Sequence, residues 1–125
     1  MKRTWHQQFK RKPKEQRTSP DGITHDSTSE MHRWCKLQFD ERLGLIRNLR
    51  RQVAYPLQID DQRAVKTPTG RIAKYTADFV FERKAPDGTW HEVIEDSKGY
   101  MDKVAELRIA VFEAIYQKKV EIYKG

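Results

Sequence analysis

Three residues in this chain have the types and spacing to do chemistry together: Asp78 inside "KYTADFVFER", and Asp96 with Lys98 in "VIEDSKGY". Carboxylate oxygens are the ligands that hard divalent cations prefer, and a lysine beside them can orient a water molecule or touch a phosphate. Alternate residues of a strand share a face, so Asp96 and Lys98 project together about 6–7 Å apart. A carboxylate can then hold a cation while the ammonium reaches the attacking water, neither blocking the other. The expected chemistry is metal-assisted hydrolysis, with Mg²⁺ the expected cation and Mn²⁺ its substitute.

Each residue also has a plainer reading. Asp78 interrupts an apolar run formed by Ala77, Phe79, Val80 and Phe81. A buried carboxylate needs a cation or dense hydrogen bonding, and an ion pair with Lys98 meets that need without metal. Glu95 neighbours Asp96 but points the opposite way on a strand, which leaves it outside the set. Glu30 is a candidate fourth member, placed three residues after Ser27. That spacing is a helix capping box, which gives Glu30 a complete structural role of its own.

The elements that must position these residues follow from periodicity. "STSEMHRWCKLQFDERLG" reads as a helix from Ser27 to Gly44, with Met31, Trp34, Cys35, Leu37 and Phe39 as its apolar face. Three strand-like runs follow: "LRRQVAYPLQI", where Pro56 suggests an edge or bulge, then "RIAKYTADFVFER" and "TWHEVIEDSKG". Pro86, Asp87 and Gly88 predict a turn that pairs the last two as an antiparallel hairpin. That pairing places Asp78 and Asp96 on neighbouring strands, near the end far from the turn. The 60–70 connection reads as a polar surface excursion. A second helix begins at Asp102, a candidate cap, and its apolar stripe of Val104, Leu107, Ile109, Val111, Phe112, Ile115 and Tyr116 is wide enough to predict deep burial. "VEIY" supplies a last strand, giving the order helix, three strands, helix, strand.

With 125 residues there is room for one modest core, and the net charge of +7 predicts attraction to polyanions. Nearly all of that charge sits in residues 1–20, where Lys2, Arg3, Lys10, Arg11, Lys12, Lys14 and Arg17 oppose a single acid, Glu15. This segment reads as a flexible basic arm, 1–20, before a folded domain, 21–125. A solvated tail is the equal alternative. The lone Cys35 excludes an internal disulfide, and the scattered histidines lack zinc spacing. Neither a phosphate-cradling glycine loop nor a membrane-length apolar run is present. A cytoplasmic setting, bacterial or in a phage-infected host, is expected.

The order of these motifs resembles the PD-(D/E)xK nuclease superfamily. More narrowly it is similar to a small phage and prophage family, a domain of unknown function, with patterns like "DGI", "DS..E", "Y.ADF" and "ED.KG". Here these fall on Asp21, Gly22 and Ile23; on Asp26, Ser27 and Glu30; on Tyr75, Ala77, Asp78 and Phe79; and on Glu95, Asp96, Lys98 and Gly99. Ala77 stands where the superfamily motif has proline. The resemblance implies an α/β fold, a single restriction-endonuclease-like domain with an αβββαβ core and a mixed four-stranded sheet flanked by helices. It implies Asp78 and Asp96 as Mg²⁺ ligands with the Ser97 backbone carbonyl, Glu30 completing the shell directly or through water, and Lys98 positioning the hydrolytic water.

The substrate expected on this basis is DNA, branched or duplex, cut by an endonuclease like a Holliday junction resolvase, with a homodimer as the implied assembly. Lys10, Arg11, Lys12, Lys14, Arg50, Arg51, Lys103 and Arg108 are the candidate phosphate contacts. Two other classes compete. One is a non-catalytic basic nucleic-acid-binding protein in which the acids and Lys98 form an ion network. The other is an adaptor that uses the arm to hold an acidic partner.

Overall fold

The fold is an α/β arrangement of two helices around a mixed four-stranded sheet, seen in a computed structural model that describes residues 11–97 and 100–125. Strands β1 (Ile46–Pro56), β2 (Lys74–Lys84), β3 (Trp90–Ser97) and β4 (Val120–Tyr123) lie in that spatial order. Helix α1 (Thr28–Arg42) precedes the sheet, and α2 (Lys103–Tyr116) makes the crossover between β3 and β4. The expected αβββαβ order is therefore present. β1–β2 and β2–β3 are antiparallel and β3–β4 is parallel. β1 is an edge strand ending at Pro56, where its missing N–H costs the ladder nothing.

Local signals account for most element boundaries. Ser27 caps α1 by accepting the Glu30 N–H at 3.0 Å, and Asp102 caps α2 through the Ala105 N–H at 2.7 Å. The Ala85–Thr89 turn sets Lys84 opposite Trp90 and so fixes the whole β2–β3 register. The 57–73 excursion is more regular than a loop: bridges join Gln58 to Ala64 and Lys66 to Ile72.

β2 is buried on both faces. Phe79 and Phe81 pack with Trp34, Leu37, Ile46 and Val93 on the α1 side. Tyr75, Ala77 and Val80 pack with Ile94, Ile109 and Phe112 on the α2 side. The odd-numbered residues of β2 thus change cluster across Asp78.

One expectation is corrected. The stripe of α2 is not deeply buried throughout: Ile109 and Phe112 face the core, whereas Val104 and Leu107 are 60% and 65% exposed. Only one side of this helix meets the sheet, so the extra width of the stripe faces solvent. On α1, Phe39 is likewise exposed. Among the described residues, no helix is long and apolar enough to cross a membrane.

Residues 1–10 of the expected arm lie outside the described residues, and a short 3₁₀ turn spans Lys14–Arg17. Arg17 is buried and donates to the carbonyls of Lys12 and His25. His25 is itself buried, with its Nε2 3.1 Å from Ser19 Oγ. Asp21 accepts from Ser19, from the Trp34 indole at 2.9 Å and from Gln38 at 3.1 Å, fastening the segment to α1.

This latch predicts acid sensitivity. Burial pushes the His25 pKa below its ordinary value, Arg51 adding to the shift and Asp21 and Asp26 opposing it. The unfolded chain then binds more protons below about pH 6.5, so the stability from neutral His25 is present above that pH and lost as pH falls through it. Asp21 is held down to about 2, chiefly by the Ser19 hydroxyl. Its contribution is present above about pH 4 and lost on descent toward pH 2. Thermal melts from pH 7.5 to 2.5 should show both declines, and His25→Gln should remove only the upper one.

Candidate active site

β2 and β3 pair as far as Phe79 opposite Glu95. One step further along the same register, Asp78 faces Asp96. Here the side chain of Asp78 takes over a backbone role: its Oδ2 accepts the Ser97 N–H at 2.8 Å. β3 meanwhile stays paired with β4 through Ser97. The strands part at this point, and the opening is lined by two carboxylates.

Asp96 is buried at 2% exposure on the α2 side, where its Oδ2 accepts the Tyr75 hydroxyl at 3.1 Å. Burial, and then the neighbouring Asp96, raise the Tyr75 pKa, so the phenol stays a donor. Glu95 turns the other way, as alternation requires. It is buried against α1 in a two-bond pair with Arg33, at 2.7 and 2.8 Å.

Glu30 reaches the site from α1. Its Oε2 accepts the Asp26 N–H at 2.9 Å, a variant of the capping box, and its Oε1 accepts from Gln52 Nε2 at 2.9 Å. The same Gln52 nitrogen lies 3.4 Å from Asp78 Oδ1. Capping and membership of the site are therefore not alternatives for Glu30, because its two oxygens do different jobs.

Gln52 is the residue that sequence reasoning missed. It stands opposite Asp78 by the β1–β2 register and has φ of 53°, in the left-handed region that β-strands and side chains other than glycine, Asn and Asp seldom occupy. Such strain, on the order of 1 kcal/mol, persists where surrounding contacts require it. Here the amide ties Glu30 to Asp78. No sequence signal marks a backbone dihedral, although register places Gln52 once the strands are paired.

The electrostatics follow from crowding. Burial raises the Asp78 pKa above its ordinary value; a hydrogen bond with Asp96 and the Ser97 N–H lower it, and the charge and hydrogen bonding of Glu30 raise it again. Asp78 therefore lies between two other carboxyls, Asp96 and Glu30. Among the described residues no group of three or more carboxylate, His or Cys side chains has the geometry to hold a metal ion. The acids are held by hydrogen bonds to one another, Gln52, Tyr75 and the Ser97 amide. The donor chemistry nevertheless fits a hard cation, since clustered buried carboxylates cannot all ionise without a compensating charge.

Lys98 lies outside the described residues, as does Lys10. Ser97 contributes its N–H, donated to Asp78. The candidate phosphate contacts are dispersed. Arg11, Lys12, Lys14, Arg50, Lys103 and Arg108 are exposed. Arg51 is not a free surface cation: it is half-buried, its Nε is enclosed, and its charge is felt by His25. Arg108 lies on the cleft that also contains Asp96, whereas Lys103 lines a separate shallow depression with Glu106 and Leu107.

Neither the curated proteins nor the solved structures gave a significant match to this chain. A family model does match, over residues 10–124, which takes in both helices, all four strands and every carboxylate of the site. The chain belongs to that family, described as protein of unknown function (DUF1064).

Proposed function

We propose that this chain is a Mg²⁺-dependent endonuclease of the PD-(D/E)xK type, with a restriction-endonuclease-like core, that hydrolyses DNA phosphodiester bonds. The observation that carries the reading is the meeting of Asp78 and Asp96 where β2 and β3 part, with Glu30 tied in through Gln52. Asp78 and Asp96 are the residues that would hold the cation, with Glu30 behind them. Bound there, a divalent ion supplies a more acidic water and offsets charge developing on the phosphate.

The chain's own groups prepare that site. Tyr75 fixes one oxygen of Asp96, the Ser97 amide fixes one oxygen of Asp78, and Gln52 sets the spacing between Asp78 and Glu30. Lys98 follows Asp96 by two residues and takes the role of orienting the attacking water on sequence grounds. The basic surface gathers the polyanion without reading its sequence. Branched recombination or replication intermediates, cut by a two-fold dimer, are the preferred substrate class.

The test is a panel of junction, flap, duplex and single-stranded DNA incubated with Mg²⁺, with Mn²⁺ and with EDTA. Cleavage should require the cation, and Asp96→Ala should lower it by at least 10³-fold while DNA binding persists, a loss typical of removing essential catalytic machinery. Cleavage in EDTA, or none on any DNA or RNA, sinks the reading. A second reading, a non-catalytic nucleic-acid-binding protein, is favoured by one observation: hydrogen bonds from Gln52, Tyr75 and the Ser97 amide hold the cluster of acids.

A further inference from the structure

A cleft of about 390 Å³ opens between the 67–76 segment and α2, and Asp96 and Tyr75 lie on it. Three cations border it: Arg71 from the segment leading into β2, Lys74 from the first position of β2, and Arg108 from α2. All three are exposed, and none makes an ion pair among the described residues. Elsewhere on the surface Lys36, Arg47, Arg63, Arg83 and Lys118 are each paired with a carboxylate. Three cations without an ion pair among the described residues thus stand together at the mouth of the cleft that contains Asp96.

The lining also fits a polynucleotide strand rather than a bare anion. Ile72, Ala73 and Ala105 give it apolar wall between the cations, with Ile72 46% exposed. A sugar-phosphate chain presents that alternation of charge and apolar surface. The volume is at the low end for sites that enclose a small organic ligand, enough for about one nucleotide. A duplex is far too wide to enter.

We infer that this cleft seats one unpaired nucleic-acid strand, with Arg71, Lys74 and Arg108 binding the backbone phosphates next to the phosphodiester presented to Asp96 and Asp78. The placement beside a scissile phosphate rests on the endonuclease reading; the strand-binding cleft itself does not. It selects substrates that offer single-stranded character at the cut, such as a fork, a flap or a branch point. Phosphate contacts of this kind set the register of the strand and leave its sequence unread.

The experiment is fluorescence anisotropy of a labelled oligothymidine in EDTA, so that no cleavage intrudes, with salt varied from 50 to 200 mM. Each phosphate contact on a single strand contributes about 0.7 to the slope of log affinity against log salt. The triple variant Arg71→Ala, Lys74→Ala, Arg108→Ala should therefore lose about 2 from the wild-type slope. Arg63→Ala, on the same excursion but paired with Asp60, is the control and should change nothing. Arg108→Lys should retain its share, showing that charge rather than folding is at stake.

A triple variant with the slope of the control overturns the inference. Equal dependence of a blunt duplex on the three cations overturns the single-strand assignment, and so does displacement of the oligonucleotide by inorganic phosphate at matched ionic strength. Two further outcomes separate this inference from the endonuclease reading. Wild-type cleavage that is indifferent to the three cations overturns the cleft alone. Strand binding that depends on them, without cleavage by wild type in Mg²⁺, overturns the hydrolase alone.

Discussion

Asp78→Asn is expected to abolish cleavage and, in the same protein, to raise the melting temperature of the metal-free state. The two effects share a cause. Burial beside Glu30 holds the Asp78 pKa above its ordinary value of 3.8. Folded protein then binds more protons than unfolded chain between 3.8 and the raised value, so stability falls as pH rises through that window and the full cost is borne at neutral pH. Asparagine removes the charge but keeps an oxygen for the Ser97 N–H, and its amide can donate to the neighbouring carboxylates. A gain of roughly 1 kcal/mol is in line with relief of a strained functional site, or about 3–6 °C in a domain of this size.

The comparison has a built-in check. The advantage of the variant should shrink as pH falls and wild-type Asp78 takes up its proton. Mg²⁺ should raise the melting temperature of wild type, since a ligand of the folded state stabilises by mass action, and leave the variant where it was. If Asp78→Asn instead melts lower and Mg²⁺ moves neither protein, the acids are a structural network.

Arg33→Ala should be the costliest single change outside the apolar core. Its guanidinium makes both bonds to Glu95 and lies 4.0 Å from the centre of the Tyr123 ring, joining α1 to β3 and β4. The pair is largely out of water, with side-chain exposures of 12% and 3%. Removing one partner strands the other charge in the interior, which costs about 3–5 kcal/mol. Chemical denaturation should show that loss. The double variant Arg33→Met, Glu95→Leu should recover most of it, because a well-packed apolar pair avoids the desolvation of both charges. A loss below 1 kcal/mol for Arg33→Ala would place the pair with ordinary surface bridges.

Adjacent acids on one strand therefore have opposite jobs, and alternation already separates them in the sequence. The facing of Asp78 and Asp96 is equally legible, since a Pro-Asp-Gly turn sets the hairpin register and the register sets which residues oppose. The caps Ser27 and Asp102 can be read because capping is a local matter of one oxygen and one N–H. What sequence pattern does not carry is partnership at a distance. It shows the wide stripe of α2 but not that Val104 and Leu107 have nothing described to cover them, and it marks Arg17 by its charge, not by the carbonyls of Lys12 and His25 that bury it. Gln52 is hidden for both reasons: its role depends on an unusual φ and on two acids 22 and 26 residues away.

The parallel pairing of β4 with β3 has a consequence for how the protein comes to exist. Asp96 lies opposite Ile122 and Ser97 opposite Tyr123, so the strand that carries the inner carboxylate is flanked on that side by β4, the strand that follows α2 in the chain. While the chain is being made, β1, β2 and β3 can pair as soon as they emerge, but this edge of β3 stays open until Val120–Tyr123 has left the ribosome. The acids can gather before then; the sheet edge that steadies them cannot close. Assembly of the site is thereby tied to completion of the sheet, and a chain stalled within α2 would carry the carboxylates without β4 beside them.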